Sequence, residues 1–308
     1  MPEASTPHPD EACADMEVFA THRPSMFALS YRMLGSAMEA DDVVQEAWLR
    51  WSARGRVDVT SPSAYLTTIV TRLCIDHLRS ARVRRETYKG PWLPEPIEAG
   101  PPDPAQHAEL ADSLSMAFLV LLEELAPEER AALLLHDVFD YPYDQIAAAL
   151  GRSEPACRQL VSRARRRIGA RKHRFDADRT QSRELTRRFL VACGTGDLQG
   201  LLSLLADDVV VWTDGGGVVR AALRPVTGAA RASRFLVSVA RRIPPGVTSR
   251  EADLNGQPGL VFEDPAGTVT IALVLDVVGG RVAGVRVVSN PEKLGALQRE
   301  ELSRRAGS

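Results

Sequence analysis

Apolar positions recur at helical spacing from about Glu17 to Glu86, with breaks at Gly35-Ser36 and over Gly55 to Ser63. Helical spacing resumes near Gln106 and runs to about His173. Between the two stretches lie Gly90-Pro-Trp-Leu-Pro-Glu-Pro and Gly100-Pro-Pro-Asp-Pro. Proline removes a backbone donor and restricts the residue before it, so this segment predicts an extended, semi-rigid linker. Ser182 to Cys193, Asp197 to Leu205 and Ala229 to Arg242 predict three further helices. After Ala206 the β-branched runs Val209 to Trp212, Thr268 to Leu275 and Arg281 to Val288 predict strands. The expected order is a disordered leader (1–15), an all-α domain (16–88), the linker (89–107), a second all-α domain (108–174) and an α+β domain with a tail (175–308).

The sharpest local pattern runs from Tyr143 to Ile168. A short helix ends at Leu150, and Gly151 can take the left-handed turn without a Cβ penalty. Ser153 is a candidate N-cap, and Pro155 is tolerated in a first turn. Cys157, Leu160, Val161, Ala164 and Ile168 then share one face. Arg158, Gln159, Ser162, Arg163 and Arg166 share the other. An apolar back and an arginine-rich front suit a helix in the major groove, where Arg and Gln reach base edges and further arginines hold phosphates. The pattern predicts a DNA-binding helix-turn-helix, with Ser153 and Glu154 at the start of its recognition helix.

Asp41 to Trp51 is amphipathic. Val44, Ala47, Trp48 and Trp51 fall on one side, and Asp41, Asp42, Gln45, Glu46 and Leu49 on the other. The second set is acidic and includes a leucine, which suits a basic partner as well as water. A helix over Tyr65 to Arg85 ends in Asp76-His-Leu-Arg-Ser-Ala-Arg-Val-Arg-Arg. That basic end can follow a phosphate backbone or complement the helix dipole.

Charge and composition limit the remaining options. The chain has 308 residues, with 38 basic and 40 acidic side chains and a formal net charge of -2, which excludes a uniformly basic coat. Positive charge is concentrated instead: Arg152 to Arg174 holds nine basic residues and one acid. Only Lys89, Lys172 and Lys293 are lysines. Cys13, Cys74, Cys157 and Cys193 form no C-x-x-C pair, so neither a zinc cluster nor a disulfide framework is expected, and a cytoplasmic setting fits. No run is long and apolar enough to predict a membrane span. No histidine follows His173, which removes that general base from the α+β domain.

Taken together, these residues resemble bacterial sigma factors of the extracytoplasmic-function group. Asp41 to Trp51 is similar to the helix of sigma domain two that docks on core RNA polymerase, which implies that Asp41, Asp42, Gln45, Glu46 and Leu49 contact the enzyme. Ala64 to Arg79 resembles the adjoining strand-opening helix. The resemblance implies contacts to the downstream promoter element from Arg56, Asp58, Ser61, Arg72, Asp76 and Arg79. Tyr143 to Ile168 resembles the helix-turn-helix of sigma domain four, reading the upstream element. Three further motifs resemble the subfamily with a fused SnoaL-like domain, a cone-shaped α+β fold. They are Gly90-Pro-Trp-Leu-Pro-Glu-Pro96, Trp212-Thr-Asp-Gly-Gly-Gly217 and Asn290-Pro-Glu-Lys-Leu294.

Within that family the α+β domain is expected to regulate the sigma domains in cis, with no separate anti-sigma factor required. A large apolar Trp92 in a proline linker invites a docking pocket, the alternative being that it packs on its own helical domain. The expected contact joins Trp92, Leu93, Pro94, Glu95 and Pro96 to Asp214, Gly215, Gly216, Gly217, Asn290, Pro291, Lys293 and Leu294. Asp214 and Asp276 are the carboxylates available for catalysis, but Asp214 before three glycines reads better as a turn residue. No catalytic residue, metal or cofactor is expected, while an unknown small ligand of the cone is left open. Two other functions remain at this point: a helix-turn-helix regulator with a ligand-binding domain, and an enzyme with a DNA-binding appendage.

Overall fold

A computed structural model describes residues 9–53, 59–86, 88–98, 113–169 and 179–306. Helix α1 (Pro9–Leu34) ends at Gly35, whose φ of 70° reverses the chain. Ser36 then caps α2 (Ala37–Ser52), its hydroxyl accepting from the Glu39 N–H at 3.1 Å. Helix α3 (Pro62–Glu86) follows. Residues 9–15, expected within a disordered leader over 1–15, are helical, since α1 begins at Pro9 and proline suits a first helical turn; residues 1–8 lie outside the described residues.

The second helical block is not one continuous run. It divides into α4 (Met116–Leu122), α5 (Pro127–Leu133), a π turn over Leu134–Val138, α6 (Tyr143–Leu150) and α7 (Glu154–Gly169). The described residues of 1–83 and 122–170 form one compact unit, and those of 84–121 and 171–308 form the other. The first unit therefore contains α1, α2 and most of α3 together with α5 to α7. Arg130 ties its parts together. Its buried guanidinium donates to the Met33 carbonyl at the end of α1 (2.6 Å) and to Glu123 (2.8 Å). Burial pushes the Arg130 guanidinium down to about 9.

The second unit is α+β. Helices α8 (Arg179–Thr195) and α9 (Leu198–Leu204) lead into β1 (Leu205–Asp214) and β2 (Val226–Thr227). Next come α10 (Ala229–Ala240), β3 (Thr248–Leu254), β4 (Gln257–Glu263), β5 (Val269–Val278) and β6 (Arg281–Val288). A 3-10 turn (Pro291–Lys293) and α11 (Gly295–Ala306) close the chain. The strands form one sheet in the order β2-β1-β6-β5-β4-β3, in which only β1 and β6 are parallel.

Both faces of the sheet are covered. Leu273 and Leu275 join Phe189, Leu201 and Leu236 under α8, α9 and α10. Their neighbours Ala272 and Val274 point the other way and join Leu93, Met116 and Leu297. Two covered faces explain why β5 reads as an almost unbroken apolar run. Helix α4 was expected within the second helical domain, yet its Met116 and Val120 pack on this sheet. The linker is likewise not a free spacer over 88–98. Glu98 forms an antiparallel bridge with Leu254, and the Asn255 N–H donates to the Ile97 carbonyl at 2.9 Å.

Candidate nucleic-acid interface and linker clamp

The helix-turn-helix forms as its spacing predicts. Gly151 closes α6 with a φ of 62°, and α7 starts directly after Ser153, whose carbonyl accepts from the Cys157 N–H at 3.0 Å. Cys157, Leu160, Val161, Ala164 and Ile168 are buried. Arg158, Gln159, Ser162, Arg163 and Arg166 are exposed. Acidic neighbours sort the arginines into two sets. Arg165 pairs with Asp137 at 2.6 Å and Arg167 with Glu129 at 2.9 Å, both on preceding elements. Among the described residues, Arg166 instead donates only to the Ser162 carbonyl of its own helix, at 3.4 Å. Arg158 pairs with Glu154 within α7 at 2.7 Å and stands over the Tyr143 ring at 4.5 Å. The first set braces the helix, and the second presents guanidiniums outward.

Burial pushes the Cys157 thiol up and the Cys74 thiol up to about 12, so neither is a ready thiolate. Among the described residues no cluster of His, Cys, Asp or Glu could hold a metal ion. No helix among them is long and apolar enough to cross a membrane.

The acidic face of α2 is laid out as its pattern predicts, with one refinement. Val44, Ala47 and Trp51 are buried, whereas Trp48 is half-buried and meets Phe19 edge to face at 4.9 Å. Asp42, Gln45 and Leu49 are exposed. Asp41 pairs with Arg23 (3.0 Å) and Glu46 with Arg50 (2.9 Å). Leu49 is 54% exposed.

The described downstream candidates are exposed, but each already has a partner within the chain. Arg56 and Asp58 lie outside the described residues. Ser61 sits just before α3, where its hydroxyl accepts from the Ala64 N–H at 3.4 Å. Arg72 is exposed but already engaged. It donates to the carbonyls of Ala149 (3.0 Å) and Ala148 (3.1 Å), at the end of α6. Arg79 pairs with Asp76 at 3.5 Å and with Glu128 of α5 at 3.0 Å, and Glu128 also holds Arg152. Tyr141, Thr67 and Ser63 complete the contact, with the Tyr141 and Thr67 hydroxyls 2.8 Å apart. In this arrangement the two helical regions hold each other through residues expected to meet DNA. Nothing local in the sequence marks Tyr141 or Glu128 for that role.

The linker segments assemble around a buried carboxylate. Asp214, at the end of β1, is fully buried. It accepts from the Leu93 N–H (2.8 Å), Lys293 Nζ (2.7 Å), the Gly216 N–H (3.1 Å) and the Tyr88 hydroxyl. Asp214 is thus the turn residue expected from its glycines, and also the anchor of the linker. Lys293 closes the opposite side, donating to the Leu93 carbonyl at 2.6 Å. Its ammonium stands 4.2 Å from the Trp92 ring centroid and 4.8 Å from that of Tyr88. Asn290 caps the 3-10 turn through the Glu292 N–H (3.1 Å) and donates from Nδ2 to the Tyr88 hydroxyl (3.1 Å). Burial, followed by the Asp214 carboxylate, pushes the Tyr88 hydroxyl well above the usual phenol range.

The deepest linker side chain is Leu93, not Trp92. Leu93 enters the sheet core with Leu294, while Trp92 stays half-buried beside Lys293. Pro94, Glu95 and Pro96 are buried, and Pro291 starts the 3-10 turn. The glycines permit close approach: a Cβ on Gly216 would strike the Asn290 side chain, one on Gly215 would strike the Val219 carbonyl, and Gly217 holds a φ of 75°. Tyr88 was not among the expected residues. The scarcity of lysine could have drawn attention to the site, since a compact ammonium at Lys293 interrupts an otherwise arginine-dominated chain.

Residues 18–84 match the Sigma-70 region 2 family and residues 115–168 the Sigma-70 region 4 family. The ECF RNA polymerase sigma factor SigJ of Mycobacterium tuberculosis is 37% identical over 294 residues, covering 90% of this chain and 93% of the relative. The probable ECF RNA polymerase sigma factor SigI of the same species is 33% identical over 283 residues, covering 91% and 94%. The crystal structure of SigJ matches with a TM-score of 0.72 and 33% identity, covering 91% of this chain and 98% of that one. A plain helix-turn-helix regulator would account for the region 4 match but not for the region 2 match over 18–84.

Proposed function

The chain belongs to the extracytoplasmic-function RNA polymerase sigma factors, and we propose how its parts divide that work. As a sigma factor it directs promoter recognition and transcription initiation. The exposed side of α2, with Asp41, Asp42, Gln45, Glu46 and Leu49, docks on core RNA polymerase. The outward face of α7 enters the upstream promoter element, with Arg158 and Gln159 reaching base edges and Arg163 and Arg166 holding phosphates. Ser61, Arg72, Asp76 and Arg79 meet the downstream element, together with Arg56 and Asp58. Arg72 and Arg79 now hold α5 and α6, so reading both elements requires the two helical regions to part. The protein works in the cytoplasm, where polymerase and promoters are.

The C-terminal domain modulates this activity in cis by holding the linker that joins the two DNA-reading regions. The observation that carries this reading is the buried Asp214–Lys293 pair closed around the Leu93 peptide groups. We assign no catalytic step to the domain, because the Asp214 carboxylate is taken up by four donors. No separate anti-sigma factor is needed for this control.

Run-off transcription with purified core polymerase tests the assignments. Neutralising Arg158 and Arg166 together is expected to abolish promoter-dependent transcripts while the chain still joins the polymerase. Asp42→Ala with Leu49→Ala is expected to abolish that joining. Trp92→Ala with Leu93→Ala is expected to change transcript yield at unchanged polymerase affinity, and an unchanged yield would sink the cis-regulatory reading.

A further inference from the structure

The docked linker forms one side of an open cleft of about 390 Å³ that none of the assignments above uses. Residues 90–93 form one wall. Val120 of α4, Trp212 of β1, Leu223 and Pro225 of the following loop, and Arg286 of β6 form the rest. The cavity lies on the sheet face away from α8 to α10. Trp212 and Val120 pack with Leu93, whereas the adjacent Val211 packs beneath the helices. It is therefore a space made by linker docking, distinct from the filled, helix-covered side.

Its lining is apolar and aromatic apart from one group. Arg286 is buried, its guanidinium 4.4 Å from the Trp212 ring centroid and its Nη1 2.7 Å from Asp276. Asp276 already balances its charge. Yet the Arg286 Nε–H has no hydrogen-bond partner. A buried donor left unmatched is rare in folded proteins and calls for an acceptor. The volume falls in the range of small-molecule sites, which run from about 300 to 1,000 Å³ and pair apolar walls with few polar groups.

We propose that this cavity binds a small, flat, uncharged molecule of one or two rings that carries a hydrogen-bond-accepting oxygen. The ring lies among Trp92, Trp212 and Leu223, and the oxygen accepts from Arg286. A neutral oxygen fits better than a carboxylate, because the Arg286–Asp276 pair leaves no spare positive charge to balance an anion. Because the walls come from both the linker and the sheet, the ligand binds only the docked linker and stabilises docking by mass action. The inference rests on the docked geometry and not on the direction in which docking changes transcription, so a binding experiment without polymerase separates the two.

Fluorine NMR on the full chain tests it with three probes of one size: para-fluoroacetophenone, para-fluorobenzoate and para-fluorotoluene. The ketone is expected to broaden saturably at millimolar concentration and to bind about tenfold tighter than para-fluorotoluene, with the benzoate no tighter than the ketone. Leu223→Trp fills the mouth of the cavity at a position 70% exposed, so it leaves the fold intact and is expected to abolish binding. Hydrogen exchange at the Trp92 and Leu93 amides is expected to slow when the ketone is present. Absence of saturable ketone binding would overturn the proposal. So would equal binding to the Leu223→Trp chain, equal affinity for para-fluorotoluene, tighter binding of the benzoate, or unchanged exchange at Leu93.

Discussion

The outward face of α7 and the clamp around Leu93 use the same chemistry in opposite surroundings. On α7, Arg166 stands in water, where its charge costs nothing to maintain and stays available for a polyanion. At the clamp, Lys293 and Asp214 are withdrawn from water, and each polar contact there is made with the chain's own backbone or side chains. An exposed charge recognises a partner at little cost to the fold. A buried one is tolerable only while its partner remains, so it makes a strong intramolecular latch and a poor general-purpose surface.

Breaking the latch is expected to have the largest effect. Asp214→Ala leaves the Lys293 ammonium buried without its carboxylate, which costs about 3–5 kcal/mol. Urea unfolding of the full chain, with limited proteolysis at the linker, would measure it. Next comes the α7 face. Arg158→Ala is expected to weaken specific promoter binding by the holoenzyme by about 1–3 kcal/mol, and Arg166→Ala to lower the salt dependence by about one counterion. Both should leave the urea midpoint almost unmoved, since these side chains are exposed; a large shift would erase the contrast. Arg72→Ala removes two hydrogen bonds to the end of α6 and is expected to cost about 1 kcal/mol. Faster hydrogen exchange at α6 and α7 would register it. The smallest effect concerns the thiols. Cys74, Cys157 and Cys193 should resist iodoacetamide in the folded chain at mildly alkaline pH, because burial raises all three.

What the sequence reveals follows the range of the interactions. Gly151, Ser153 and the alternation of Cys157 and Leu160 with Arg158 and Gln159 are local, and they define the helix-turn-helix from the sequence alone. The acidic side of α2 is legible for the same reason. Strand β3 escapes because Thr248 to Leu254 is an edge strand rich in charge; its Arg250 is answered by Glu98 at 3.0 Å from the far end of the linker and by Glu263 at 3.0 Å. A local signal for it was nonetheless present. Asn255-Gly256, with φ of 53° and 73°, is a two-residue hairpin turn that implies a strand on either side. The motifs around Asp214 and Lys293 stood out by resemblance, but nothing in their spacing showed that they meet across 79 positions, or that the prize between them is a peptide unit at Leu93. Whether Met116 belongs to one core or the other depends on distant partners, and periodicity is silent on that.

The clamp grips position 93 by its amide hydrogen on one side and its carbonyl oxygen on the other. Every amino acid except proline carries both groups, so no point substitution in the linker other than proline at position 93 erases the handholds. Side-chain changes there leave these two handholds in place even where they weaken the packing of Leu93, whereas gaining or losing a single residue between Tyr88 and Pro94 would slide the register and release the hold. The backbone grip itself is thus indifferent to spelling and sensitive to length.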